Sequence, residues 1–215
     1  MLMRFRFHPV AVVADIKAMF SQVKVQKSDK DLLRFLWFPG GNLDAKPKAY
    51  CMTRHVFGAT SSPFAAAHAL QQAANESTDP TVRRVIKDDF YVDDLLTSCA
   101  TEDEAKRLCQ SLMPTLEKSG FHLTKFLSNK QVVLDAIPYD RLAPSVKDVD
   151  VTYNSSIERT LGLRWVVASD EYTFKVQVGD KPNTRRGILS TTSSLYDPLG
   201  FVAPVTLLPK ILLHN

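Results

Sequence analysis

Phe90-Tyr91-Val92-Asp93-Asp94-Leu95-Leu96 is an apolar strand broken at its middle by two adjacent carboxylates. In a core strand, two ionised acids without partners would cost several kcal/mol. Two readings fit the stretch. A tight hairpin with Val92-Asp93-Asp94 at its tip presents one or both acids to a bivalent cation, whose charge keeps them deprotonated. Alternatively the pair is an acidic surface turn, because Asp is a favoured turn residue. The rest of the chain has to decide between them.

A chain of 215 residues, 45% hydrophobic and 23% charged, has the length and apolar content of an ordinary globular protein. The formal net charge of +4 comes from 27 basic and 23 acidic residues. Residues 1–30 hold the whole excess, with six basics (Arg4, Arg6, Lys17, Lys24, Lys27, Lys30) against two acids (Asp15, Asp29). That bias is compatible with a polyanionic partner near the N-terminus, and equally with a solvated basic face. Cys51, Cys99 and Cys109 have neither CxxC nor Cys/His spacing, so they read as reduced thiols rather than zinc ligands or a disulfide framework. No apolar run reaches transmembrane length, and Val10–Ala14 is too short for a signal-peptide core.

Outward from the acidic stretch, the first landmark upstream is Val10-Ala11-Val12-Val13-Ala14-Asp15-Ile16. It is a β-branched run expected to form a strand buried on both faces and ending in a carboxylate. The next residues, Ile16–Val23, predict a helical turn that returns Phe20 to the strand end, where simple core packing would account for it. Leu32–Phe38 and Ala49–Val56 form a candidate hairpin. Gly58-Ala59-Thr60-Ser61-Ser62-Pro63 leads into an alanine-rich helix over Phe64–Ala74, with Ser62 as cap and Pro63 in the first turn. Val82–Leu96 is expected to supply both arms of the acidic hairpin. Thr101 and Glu104 make a capping box before an apolar stripe of Ala105, Leu108, Leu112 and Leu116. Pro114 should kink or divide that helix, and Gly120 suits its C-terminal cap. Phe121–Leu127 follows as a strand carrying Lys125. The order strand, hairpin, helix, hairpin, helix, strand is an α+β layer architecture, an antiparallel sheet packed on two helices.

Asp135–Glu158 is polar and reads as a connection. Thr160–Val167 and Tyr172–Val178 alternate as strands of a further hairpin joined at Ser169-Asp170. Arg185–Leu195 and Val205–Leu213 are helix candidates, separated by the turn Asp197-Pro198-Leu199-Gly200. The apolar periodicity still running near Asn215 is expected of a piece of a longer chain.

Five blocks in order, AVVADIKAMFSQV, RHVFGATSSPFAAAHAL, FYVDDLLTS, LEKSGFHLTKFLSN and RTLGLRWV, together resemble the reverse transcriptase of long-terminal-repeat retrotransposons, most closely the BEL/Pao group. The tail RRGILSTTSSLYDPLGFVAPVTLLPKILL is similar to the segment that follows the palm in that group. The resemblance implies a polymerase palm with a partial fingers hairpin over residues 1–134 and a connecting segment over 135–158. It further implies a primer-grip hairpin over 159–180 and the start of a helical thumb or connection over 181–215, with no RNase H segment.

For the site, the resemblance implies that Asp15 and Asp93 hold two Mg²⁺ ions (Mn²⁺ being an alternative), with Asp94 nearby and the Ile16 carbonyl as a backbone ligand. Ala18, Met19, Phe20, Phe57, Gly58 and Tyr91 would surround the deoxynucleoside triphosphate, Phe20 excluding a ribose 2′-hydroxyl. Ser61, Ser62 and Pro63 would shape the template side. Leu161, Gly162, Leu163 and Trp165 would grip the primer end. Lys125 would be the general acid for pyrophosphate, or merely a surface lysine. The implied partners are a primed RNA or DNA template and the remaining parts of a retrotransposon polyprotein. No membrane is expected, and the setting is the cytoplasm, a virus-like particle or the nucleus. In that family, basic fingers residues upstream of the first aspartate hold the triphosphate. Only fourteen residues precede Asp15 here, so the chain is expected to be a palm-centred fragment with weak activity. Its rivals are a catalytically silent remnant that at most binds nucleic acid, and an unrelated regulatory metal-binding domain.

Overall fold

A computed structural model describes residues 1–147, 157–174 and 181–213, with the backbone alone for 157–160. It divides into two compact units, Met1–Lys147 and Asp148–Asn215. The first unit runs α1 (Leu2–Phe5), β1 (Val10–Ile16), α2 (Met19–Gln22), β2 (Arg34–Trp37), β3 (Lys48–Cys51), α3 (Ser62–Glu76), α4 (Pro80–Asp88), β4 (Phe90–Tyr91), β5 (Asp94–Cys99), α5 (Glu102–Lys118), β6 (Leu123–Ser128), α6 (Gln131–Leu134) and α7 (Pro144–Lys147).

Four strands form an antiparallel sheet in the order β4-β5-β1-β6. The β-branched run of β1 takes an inner position, where both its edges are paired and Val10, Ala11, Val12, Ala14 and Ile16 are buried. Helix α5 lies on β1, β5 and β6 through Leu108, Leu112 and Leu116, and α3 and α4 pack beside it. The mixed helix and antiparallel-sheet architecture therefore matches the expected class. The exposed two-stranded ribbon β2–β3 also forms as expected.

Several local expectations are corrected. Val82–Asp88 is helix rather than a hairpin arm. Asp79 caps it, its Oδ1 accepting from the N–H groups of Thr81 (2.8 Å) and Val82 (3.3 Å), and Pro80 opens it. Val82, Val85 and Ile86 then bury one face at helical spacing. Pro114 does not divide α5. The helix is held across it by the buried stripe, and Thr115 Oγ1 donates to the Ser111 carbonyl at 2.8 Å. Ser62 is not the cap of α3, because its hydroxyl donates instead to the Val56 carbonyl at 2.7 Å and Ser61 takes the cap position. Gly120, at φ +83°, does close α5 in a Schellman turn, with Phe121 N–H bonded to Leu116 O and Gly120 N–H to Glu117 O.

Two further features bear on the sheet. Ile137, Leu142 and Ala143, within the polar stretch expected to connect, are buried in the first unit, and Ala143 N–H bonds the Phe126 carbonyl. At the other end of the chain α1 rests against β5. There Ser98 Oγ donates to the Arg4 carbonyl at 3.0 Å, and Phe5 is fully buried.

The second unit contains β7 (Ile157–Thr160), β8 (Leu163–Val166), β9 (Glu171–Thr173), α8 (Arg185–Ser193) and α9 (Ala203–Leu212). The strands form one antiparallel meander. The expected continuous strand through Thr160–Val167 is interrupted, because Leu161 (φ +49°) and Gly162 (φ +85°) make a two-residue turn between β7 and β8. A turn of this hand matches the strand twist, which a straight run could not do here. Residues 175–178 of the expected second strand lie outside the described residues. Among the described residues, no helix is long and apolar enough to cross a membrane.

Candidate active site

The site is built where β1 ends against the tip of the β4–β5 hairpin. Antiparallel register sets Asp15 directly across from Asp94, and Tyr91 across from Asp94 on the other side. The Asp93 carbonyl accepts from Ile16 N–H at 2.8 Å, so the tip is stitched to the strand end. The hairpin closes through Val92 at φ +56°, a left-handed conformation that is strained for a β-branched residue. Far-apart aspartates thus converge, and Asp94 is the residue facing Asp15 across the ladder.

Like charges facing each other across a ladder are unfavourable. Burial, then the charges of Asp93 and Asp15, push the Asp94 carboxyl above the ordinary carboxylate range, against the opposing pull of Lys125. Lys125 reaches this cluster because of a β-bulge. Val13 pairs with Leu127 but Asp15 pairs with Thr124, so Lys125 and Phe126 together oppose Ala14. At the bulge Lys125 adopts φ +55°, and its Nζ lies 3.1 Å from Asp15 Oδ2. Nothing in a one-dimensional pattern announces the bulge.

After Ile16, Ala18 turns left-handed at φ +49° and throws the chain into α2. That reversal brings Phe20 against Phe57, with ring centroids 4.9 Å apart at 78°. Phe20 is nearly buried and Phe57 largely exposed, so the pair forms a wall with one open face. Ala18 and Tyr91 are exposed, whereas the Met19 side chain is buried and not free to meet a ligand. At Gly58, φ +89°, an added Cβ would meet open space, so backbone is accessible there. Ser61 and Pro63 are exposed, while Ser62 is buried and committed to Val56. In the second unit Leu163 and Trp165 are buried, Trp165 Nε1 donating to Asp170 Oδ1 at 2.9 Å. These two brace the hairpin rather than face outward, and Leu161–Gly162 form its tip. A Cβ on Gly162 would lie 2.7 Å from the Tyr196 ring, so the tip is seated on Tyr196.

A buried charge cluster under the acidic hairpin has no counterpart in the sequence reading. Asp89, 3% exposed, lies where the chain passes from α4 into β4. Its Oδ1 has Arg4 Nε at 3.4 Å, a charge contact without hydrogen-bond geometry. Its Oδ2 meets Arg84 Nη1 at 3.4 Å and accepts from Thr97 Oγ1 at 2.8 Å. Arg4 also donates to the Asp88 carbonyl. The available signal was Asp88-Asp89 running straight into an apolar strand, since a buried acid requires partners.

Among the described residues, no group of three His, Cys, Asp or Glu side chains is arranged to hold a metal ion. Mg²⁺ does not need one, because it is commonly held by one or two carboxylates and completed by substrate phosphates. Asp15 and the Asp93–Asp94 pair supply hard oxygen donors whose mutual repulsion a divalent cation would relieve, so the donor set fits.

A family model described as "Reverse transcriptase (RNA-dependent DNA polymerase)" matches residues 6–130, more than half of the chain and the elements of the first unit from β1 to β6. A second model, "Pao retrotransposon-like RNaseH-like domain", matches residues 184–215, where no RNase H segment was expected. No curated protein matches the chain.

Proposed function

Because the chain belongs to the reverse transcriptase (RNA-dependent DNA polymerase) family, we propose that its first unit is a polymerase palm of the Pao retrotransposon group that transfers deoxynucleotides to a primer 3′-hydroxyl. The observation carrying this reading is the register that places Asp15 opposite Asp94 and ties Asp93 to Ile16. Asp15 and Asp93 would hold divalent cations, with Asp94 and the Ile16 carbonyl beside them. When bound, such ions lower the pKa of the primer hydroxyl and neutralise charge on the triphosphate. The protein's own part is positioning. The wall of Phe20 and Phe57 orients the sugar and excludes a 2′-hydroxyl, and Gly58 lets the backbone approach the nucleotide. Lys125, which the bulge directs at Asp15, would deliver a proton to departing pyrophosphate. In the second unit, the Leu161–Gly162 tip would meet the primer end. The Pao assignment draws on the match over residues 184–215.

A specific observation favours a second reading, a palm that binds nucleic acid without turnover. Arg4, a basic residue close to the start of β1, is committed to Asp88 and Asp89 beneath the hairpin and so is not free to meet a triphosphate. Extension of an oligo(dT) primer on poly(rA) separates the two readings. Weak but measurable extension is expected, abolished by Asp15→Asn and by Asp93→Asn. Extension that survives both substitutions overturns the assignment of these acids.

A further inference from the structure

The backbone of Lys125 is pinned on both sides. The β-bulge sets Lys125 and Phe126 together against Ala14. Before it, Thr124 Oγ1 donates to the Asp15 carbonyl at 3.3 Å. After it, Phe126 is fully buried and its carbonyl accepts from Ala143 N–H at 2.9 Å. Ser128 Oγ then donates to the Ala11 carbonyl at 2.7 Å. Lys125 therefore keeps φ +55°, a left-handed conformation uncommon outside glycine, because its neighbours hold it there. Backbone strain that the surrounding structure enforces gathers at functional sites.

The side chain is under no such constraint. It is 60% exposed, and its ammonium lies 3.1 Å from Oδ2 of Asp15, whose side chain is only 22% exposed. An ion pair so open to water adds little to stability, so stability does not account for the strain. The electrostatic setting does. Asp94 faces Asp15 across the ladder, and Asp93 sits at the adjoining tip. At Asp94, Lys125 is the positive charge that opposes burial and the repulsion of the other two acids.

A divalent cation would compete for the same oxygen. Mg²⁺ ligated to Asp15 Oδ2 at about 2.1 Å would stand within about 5 Å of an ammonium left 3.1 Å from that atom. The two positive charges repel, and the ion draws on the same carboxylate that holds the ammonium. A lysine stem is flexible and its head is readily hydrated, so the ammonium is the partner that leaves. We propose that Lys125 and a divalent cation exchange at Asp15, the ammonium being a tethered counter-ion to the three carboxylates that an arriving ion displaces. The exchange itself requires only the acid cluster. Its consequence, that the ammonium is freed to meet pyrophosphate only once an ion is held, rests on the polymerase reading.

The test measures Mn²⁺ binding to the full chain through loss of the free-ion signal in electron paramagnetic resonance, without nucleotide or primer. Lys125→Met and Lys125→Gln should each bind Mn²⁺ about fivefold more tightly than the wild type, the factor expected when a solvent-screened competing ion pair is removed. Lys125→Arg keeps the charge and should stay near the wild-type affinity. Asp15→Asn should weaken binding and make Lys125→Met silent in the same chain. A second readout follows the ammonium itself. With isotope-labelled lysine, the Lys125 side-chain resonance should shift when Mg²⁺ is added to the wild type and stay in place in Asp15→Asn. Unchanged or weaker Mn²⁺ binding in both neutral variants, or a Lys125 resonance indifferent to Mg²⁺, overturns the proposal. Primer extension, measured in parallel, reports on the polymerase reading separately. An inert wild type whose neutral Lys125 variants still bind Mn²⁺ more tightly sinks that reading and leaves the exchange standing.

Discussion

The Asp89 cluster yields the sharpest energetic prediction, because its three partners differ in what they protect. Arg4 and Arg84 are each half-exposed, at 56% and 51%, while the Asp89 side chain is 4% exposed. Replacing either arginine alone with alanine removes a solvent-screened contact and should cost about 1 kcal/mol. Replacing both leaves a buried carboxylate with Thr97 as its remaining hydrogen-bond donor. An uncompensated buried charge costs about 3–5 kcal/mol. The double variant should therefore be destabilised well beyond the sum of the singles, with a melting temperature lower by roughly 10 °C for a chain of this size. Adding Asp89→Asn should recover part of that loss, because an amide tolerates burial without a cation. Thermal and urea unfolding of the five proteins (wild type, both singles, the double and the triple), followed by circular dichroism at neutral pH, gives the coupling and the rescue directly. Additive losses, or no rescue by the amide, would refute the argument that these arginines neutralise a buried charge.

Other expectations follow from single contacts. Phe20→Val should open the wall against Phe57 and raise ribonucleotide incorporation relative to deoxynucleotide, read as a ratio of kcat/KM values; an unchanged ratio removes Phe20 from the sugar-selecting role. Lys125→Met should lower kcat for extension by about 10²-fold with little change in KM, as loss of a general acid does, and unaltered kcat would return Lys125 to a surface ion pair. Gly162→Ala should destabilise the second unit by about 1–3 kcal/mol through its left-handed backbone and its collision with Tyr196. Tyr196→Ala in the same chain should relieve only the collision, so partial recovery of the melting temperature is the expected result.

Much of the site could be read from order and period. The run Val10–Ile16 is a strand at its expected limits, and its terminal Asp15 does meet the Asp93–Asp94 tip. What escaped were features set by tertiary contact. Val82–Asp88 has β-branched residues that suit a strand, but the Asp79 cap and Pro80 start a helix, and burial of Val82, Val85 and Ile86 completes it. Lys125 reads as an ordinary strand residue until the bulge redirects it. Leu161-Gly162 alternates like a strand, yet both residues take positive φ and form a turn seated on Tyr196. Asp89 fell inside an expected hairpin arm, where its burial could not be read because its partners Arg4 and Thr97 are distant in sequence or on the next strand.

The short helix α1 has a consequence for handling the protein. Strand β4 is two residues long and covers only the first residues of β5, so the flank of β5 beyond Leu96 would present bare amide and carbonyl groups. Leu2–Phe5 sits over that flank, held by Ser98 and the buried Phe5 ring. Trimming those few N-terminal residues would turn β5 into a template for strands of neighbouring molecules. Preparations begun at His8 should precipitate or form oligomers while the aspartates themselves stay unaltered.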